Sequence, residues 1–343
     1  MPDLSLQAAI FLLVLALTGA IRAFAVRREI LDIPQARSAH TTPTPVGGGL
    51  AIVLVLLGYC IYLLTIGDIA SQSFLVLSGA FFIAILGLFD DVLRLNVWVR
   101  LTLQFLSAIW SLVWLGEVAA IDIAGWQLTQ QWLLIPLAAF ALVWLLNLYN
   151  FMDGIDGFAG SELLFVNVMT LLFVINNNAP VVMHISAALA ASAAGFLVWN
   201  WPPAKIFMGD VGSGFSGFML GILALLSMQA GVMTVFTWLI LLGVFVTDAT
   251  ITLVRRAVNN ERWYEGHSTH AYQHAARHYK SHGKVTITMI VVNCVWLAPL
   301  AYMSTQQQEL GIFYSFIALL PLAVASLRME AGKPPLNIQL QKQ

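Results

Sequence analysis

The sequence predicts an all-α, polytopic integral membrane protein: a helical bundle of about 11 transmembrane helices, N-terminus periplasmic and C-terminus cytoplasmic. Three observations predict it. Of the 343 residues, 59% are hydrophobic and 10% charged, against about 25% charged in a soluble domain, and mean hydropathy is +0.84. The apolar residues gather into runs near the ~20 residues that cross a bilayer. All 16 Lys and Arg fall at the ends of odd-numbered runs and none at the ends of even-numbered ones. Basic residues remain in the cytoplasm, so this asymmetry sets the orientation.

In chain order the runs are 4–25, 50–66, 73–89, 97–115, 132–149, 158–175, 181–199, 215–228, 232–254, 285–303 and 310–327. Basic residues follow the first run instead of preceding it, which makes it a retained span and not a signal peptide. Residues 229–231 alone separate the eighth and ninth. Cys60 and Cys294 lie inside apolar runs and read as small core hydrophobes. A net charge of −1 argues against a nucleic-acid partner. The chain reads as one transmembrane domain, 1–330, with cytoplasmic loops at 26–49, 90–97, 150–158, 200–214 and 255–284. Residues 331–343 read as a short cytoplasmic tail, mobile over 333–343.

The polar residues cluster in those loops. The first contains Arg37, His40, two prolines at 43 and 45, and Gly47-Gly48-Gly49, a backbone free to approach an anion at a helix entrance. The second contains Asp90-Asp91, able to organise a cation or take a proton, with Arg94 one turn beyond if the helix continues. The third is Asn147-Leu148-Tyr149-Asn150-Phe151-Met152-Asp153-Gly154-Ile155-Asp156-Gly157, acids and amides at the end of an uncharged run. Carboxylates beside hydrocarbon are costly and point to function. The fourth, Phe207-Met208-Gly209-Asp210-Val211-Gly212-Ser213-Gly214, has the acid and glycines of a phosphate or Mg²⁺ site. In the fifth, His270, His274, His278 and His282 recur every four residues, a drifting stripe on a helix. Packing and anion contacts explain these histidines better than zinc, since no cysteine assists. Asp248 and Glu162, just inside span ends, read as structural. Acids, an amide and glycine-rich backbone on one face suit Mg²⁺-assisted phosphoryl transfer.

These motifs, in this order, resemble the polyprenyl-phosphate N-acetylhexosamine-1-phosphate transferases over nearly the whole chain. The resemblance implies a Mg²⁺-dependent enzyme (Mn²⁺ a substitute) of the bacterial inner membrane, active on its cytoplasmic face. Its substrates would be a UDP-N-acetyl sugar and undecaprenyl phosphate, with UMP released and a homodimer left open. By the same resemblance Asn150 and Asp210 would hold the metal, and Phe207, Asp153 and Asp156 the nucleotide. Asp90 and Asp91 would be catalytic, His267, His270, Arg37 and His40 would meet the sugar phosphate or diphosphate, and Arg94 and Arg100 the lipid phosphate.

Relatives of the peptidoglycan type carry consecutive histidines in the last loop, where this chain has His267-Ser268-Thr269-His270. The pattern looks more like the branch that initiates O-antigen and capsule. The peptidoglycan phospho-MurNAc-pentapeptide transferase is the nearest alternative. A secondary transporter would place its charges near the bilayer midplane, whereas these acids sit at cytoplasmic span ends.

Overall fold

The structure, a computed structural model, describes residues 3–34, 42–93, 95–261 and 267–334. Fourteen helices dominate it: α1 Leu4–Arg27, α2 Gly49–Ile66, α3 Ser71–Leu93, α4 Val97–Leu115, α5 Gln131–Phe151, α6 Phe158–Val174, α7 Pro180–Asn200, α8 Asp210–Gln229, α9 Val235–Leu241, α10 Gly243–Val258, α11 Ala271–Tyr279, α12 His282–Val292, α13 Ala298–Gln306 and α14 Gly311–Arg328. Two short antiparallel hairpins complete it, β1 Leu31–Asp32 with β2 Thr44–Pro45 and β3 Ile121–Ile123 with β4 Trp126–Leu128.

Among the described residues nine helical segments are long and apolar enough to cross a membrane. α12 and α13 join through a π-helical turn at Asn293–Leu297 to make one of them. The short α6, of 17 residues, and the bent pair α9–α10 account for the other two predicted runs. The helix ends follow local rules. Asp3 caps α1 by accepting from the Ser5 N–H at 2.9 Å, and Asn96 caps α4 by accepting from Trp98 at 2.9 Å. Gly67 ends α2 in the left-handed region at φ 81°.

Helix α8 is the axis of the bundle. Its residues from Val211 to Leu223 are all buried, and glycines bring three neighbours to backbone contact. A Cβ on Gly212 would stand 2.6 Å from the Gly49 Cα in α2, and one on Gly87 in α3 would stand 2.7 Å from the Val211 Cα. A Cβ on Gly217 would meet the Leu145 carbonyl and Leu146 Cα of α5, both at 2.8 Å. In hydrocarbon, where helices gain little by hiding apolar surface from one another, such small-residue contacts carry the packing.

The structure corrects four expectations. The run 232–254 is not one straight span: α9 and α10 bend by 85° at Leu242. Gly243 leaves room there for Leu297 and Leu319, and the buried face of α10 is polar, with Thr247, Asp248, Thr252 and Arg256. Of these, Asp248 reaches the first residues of α11. The histidine stripe also breaks up. α11 holds His274 and His278, His270 precedes it, Lys280 ends it at φ 50°, and His282 opens α12. The tail is anchored as far as 333: Ala331 is fully buried, and the Gly332 N–H donates to the Thr269 carbonyl at 2.7 Å. Cys294 is exposed on the bundle surface, while Cys60 is buried. Arg37, His40 and Arg94 lie outside the described residues.

The contact of α8 with α5 predicts the effect of Gly217→Val. Overpacking of this kind costs about 1–3 kcal/mol, so the thermal midpoint of the detergent-solubilised protein should fall. An unchanged midpoint would show that the two helices do not meet as described.

Candidate active site

The end of α5 and the start of α8 are joined by side chains. Asn150 Nδ2 donates to Asp210 Oδ1 and to Ser213 Oγ, both at 2.8 Å. This geometry needs both helix termini at one level, which the glycine contacts of α8 supply. Gly209, at φ 77° and ψ 166°, turns the chain into α8, in a conformation that favours glycine. A Cβ there would stand 3.0 Å from Val46.

The loop before α8 is laid against the entrance of α2 by backbone hydrogen bonds. Phe207 N–H donates to the Pro45 carbonyl at 2.8 Å, and Gly48 and Gly49 donate to the Phe207 and Met208 carbonyls at 2.9 Å. Phe207 is thereby fixed half-buried at the cavity wall. Buried Asn200 ties the neighbouring turns, accepting from the Gly157 N–H and donating to the Ile206 carbonyl, both at 3.0 Å. Asp156 accepts from the Ala204 N–H at 3.0 Å through Oδ2, and its Oδ1 lies 3.1 Å from His282 Nδ1.

At the end of α3, Asp90 Oδ2 pairs with Arg100 at 2.8 Å, and its Oδ1 accepts from the Leu95 N–H at 2.9 Å. Among the described residues the partner of Asp90 is Arg100 from α4. Asp91 is exposed, and its carboxylate meets the Asp210 and Val211 N–H groups at the N-terminus of α8.

The histidine loop rests on Asp248. One carboxylate oxygen accepts from the Ala271 N–H and the other from the Tyr272 N–H, each at 2.9 Å. The carboxylate thus caps α11, as its structural reading anticipated. His270 Nδ1 lies 3.4 Å from Asp248 Oδ1, and the His267 and His270 rings stack at 4.8 Å. The Tyr272 hydroxyl donates to the Phe151 carbonyl at 2.9 Å and passes where a Cβ on Gly154 would be, which explains why that position is glycine.

Many of these side chains line one cavity of about 1190 Å³. It unites Asp90, Asp91 and Arg100 with Asn150, Asp153 and Asp156, and these with Phe207, Asp210, His267 and His270. Tyr272, Asn200 and His282 also line it, and sequence reasoning assigned them no role. Asn200 and Tyr272 carry no signal beyond a polar group at a span end or loop; His282 was seen only as part of a stripe.

The electrostatics favour a cation. Six aspartates line the cavity, with Arg100 the sole arginine or lysine among the described lining residues. Burial, with Asp210 and Asp156 nearby, pushes the Asp153 carboxyl well above the usual carboxylate range. Among the described residues no group of three His, Cys, Asp or Glu forms a ready-made metal cage. Asn150 spends its N–H donors on Asp210 and Ser213, so among the described residues its carbonyl oxygen and the second Asp210 oxygen stay open as hard donors. That pair fits Mg²⁺, which typically binds through one or two carboxylates and keeps its other positions for water and substrate phosphates.

His267 is pushed down to about 3, first by burial and then by His270 and Arg256. Its folded value lies below the unfolded ~6.5, so its contribution to stability is full above ~6.5 and is lost as pH falls from there toward 3. His267→Gln should therefore flatten the fall in thermal midpoint between pH 7 and 5; a slope equal to wild type would contradict a neutral, buried His267.

Comparison with known proteins places these motifs. The profile described as glycosyl transferase family 4 matches residues 73–228. The chain is 28% identical over 317 residues, 90% of this chain and 87% of the relative, to a probable undecaprenyl-phosphate N-acetylglucosaminyl 1-phosphate transferase of Bacillus subtilis (strain 168). It is 30% identical over 230 residues, 63% of this chain and 70% of the relative, to a phospho-N-acetylmuramoyl-pentapeptide-transferase of Moorella thermoacetica. A third relative, an undecaprenyl-phosphate alpha-N-acetylglucosaminyl 1-phosphate transferase of Thermotoga maritima, is 27% identical over 77% of this chain and 80% of its own length. The profile match runs from α3 to α8, and the chain belongs to glycosyl transferase family 4, as a glycosyl-1-phosphate transferase of the polyprenyl-phosphate N-acetylhexosamine-1-phosphate transferase family.

Proposed function

We propose that this enzyme transfers an N-acetylated sugar-1-phosphate from a UDP-sugar to undecaprenyl phosphate, releasing UMP, to initiate a cell-surface polysaccharide such as O-antigen or capsule. The observation that carries the proposal is the meeting of Asn150, Asp210, Phe207 and the histidine loop in one cavity. The distribution of all 16 basic residues supports a cytoplasmic active site in the bacterial inner membrane. Relatives at 28% and 27% identity carry N-acetylglucosaminyl names, and UDP-N-acetylglucosamine is the first donor to test. The split histidine pattern His267-Ser268-Thr269-His270 supports this reading over the peptidoglycan reaction.

In this reading a lipid-phosphate oxygen attacks the β-phosphorus of the UDP-sugar. The new P–O bond forms as the bond from that phosphorus to the bridging oxygen breaks, and UMP leaves with that oxygen. One diphosphate is made as another is lost, so the step is close to thermoneutral and reversible. Bound Mg²⁺ on Asn150 and Asp210 supplies charge neutralisation for the diphosphate. Phe207 offers a ring face to the uracil, with Asp153 and Asp156 toward the nucleotide. His267 and His270, with Arg37 and His40, meet the sugar phosphate or diphosphate. Arg100, with Arg94, meets the lipid phosphate. Asp90 has both oxygens engaged, by Arg100 and the Leu95 N–H, so its role is to hold Arg100 at the wall. Asp91 then takes the lipid-phosphate proton when one is present, a modest task for a phosphate whose second pKa is about 6.

The test is UMP release by purified protein from undecaprenyl phosphate and a panel of donors: UDP-N-acetylglucosamine, UDP-N-acetyl-6-deoxyhexosamines and UDP-MurNAc-pentapeptide. An N-acetylhexosamine donor should be used, and Asp210→Ala should lower turnover at least about a hundredfold while the protein still folds. Use of the MurNAc-pentapeptide donor alone would establish the peptidoglycan reaction instead. Half of normal activity in Asp210→Ala at saturating Mg²⁺ would refute the metal assignment.

A further inference from the structure

The chain does not stop at the last span but folds back under the histidine loop. After α14, Glu330 takes φ 60° and the Ala331 N–H donates to the Ser326 carbonyl at 3.0 Å, a helix stop of the kind that reverses the chain. Gly332 at φ 80° lies so close to α10 that a Cβ would stand 3.0 Å from the Thr252 carbonyl and the Arg255 Cβ. Arg255 Nη1 donates to the Ala331 carbonyl at 3.1 Å, and His274 Nε2 lies 3.0 Å from the Lys333 carbonyl. The strap is therefore held by α10, α11 and its own turn.

Its one backbone bond toward the site is specific. The Gly332 N–H donates to the Thr269 carbonyl at 2.7 Å, and the Thr269 hydroxyl lies 3.1 Å from His267 Nδ1. Thr269 is buried, 4% exposed, so its hydroxyl has little freedom to turn elsewhere. The opposite ring nitrogen, His267 Nε2, is buried with no hydrogen-bond partner among the described residues, and His267 lines the cavity. A hydrogen-bonded path thus runs from the end of α14 to an imidazole of the site.

We infer that residues 330–333 and Thr269 are positioning elements: the strap fixes the Thr269 backbone, and the Thr269 hydroxyl fixes the ring of His267 toward the donor's sugar phosphate or diphosphate. The inference rests on the assignment of His267 to that group. Asp248 and Arg277 clamp the same loop from other sides, through the Ala271 and Tyr272 N–H groups and the Ser268 carbonyl. The strap differs from them in lying directly behind Thr269.

Thr269→Val removes only the hydroxyl; Gly332→Val breaks the strap outside the cavity. Losing one hydrogen bond of this type should raise the KM for the UDP-sugar about fivefold, with the KM for the lipid phosphate unchanged. Thr269→Ser should restore the wild-type value. Amide hydrogen exchange over residues 267–272 should speed up in Gly332→Val, a readout that needs no turnover. A wild-type donor KM in folded Thr269→Val, failure of serine to rescue, an equal rise in both KM values, or unchanged exchange in Gly332→Val would each overturn the inference. Absence of UMP release from the wild-type protein with every donor would instead refute the proposed function, and the exchange measurement would still decide whether the strap holds the loop.

Discussion

Everything in this structure depends on how closely three helices approach α8. At Gly49 and Gly212 two backbones meet with no side chain between them, and at Gly87 and Gly217 one backbone meets another directly. These contacts bring the start of α2 and the ends of α3 and α5 to the level of Asp210. A methyl group at Gly212 would separate α2 from α8 and with it the Pro45–Phe207 ladder. The polar groups of the cavity do not hold the helices together. The helices, packed by what their glycines lack, hold the polar groups together.

That arrangement explains how so many carboxylates are tolerated in an apolar protein. Each acid has a different settlement. Asp90 is paired with Arg100, Asp156 is engaged by the Ala204 N–H and His282, and Asp248 caps α11. Among the described residues, Asp153 and one oxygen of Asp210 have no such partner. A buried charge without a partner is costly. In the proposed reading a divalent cation would supply the charge these carboxylates lack.

Much of this was legible in the sequence. The run lengths gave eleven segments, and among the described residues nine long apolar helices, the bent pair α9–α10 and the short α6 stand in their places. Ten of the predicted site residues meet in one cavity, because glycine-flanked acids at span ends mark where backbones must come close. Other features were not legible. The bend at Leu242 follows from Leu297 and Leu319 packing on Gly243, a contact across some fifty residues that no local pattern reveals. The four-residue histidine spacing suggested one helix, but Asp248 caps α11 after His270 and Lys280 stops it before His282. Asn200 and the strap at 331–333 act through hydrogen bonds to backbone groups, and those leave no trace in composition.

The central claim is that these loops form one nucleotide-sugar site completed by a divalent cation. Calorimetric titration of UDP-N-acetylglucosamine into the purified protein, without lipid, tests it most directly. The account predicts saturable binding in Mg²⁺ that is lost when EDTA replaces the metal and is strongly weakened in Asn150→Ala. Equal affinity with and without Mg²⁺, or full affinity in a folded Asn150→Ala protein, would contradict it.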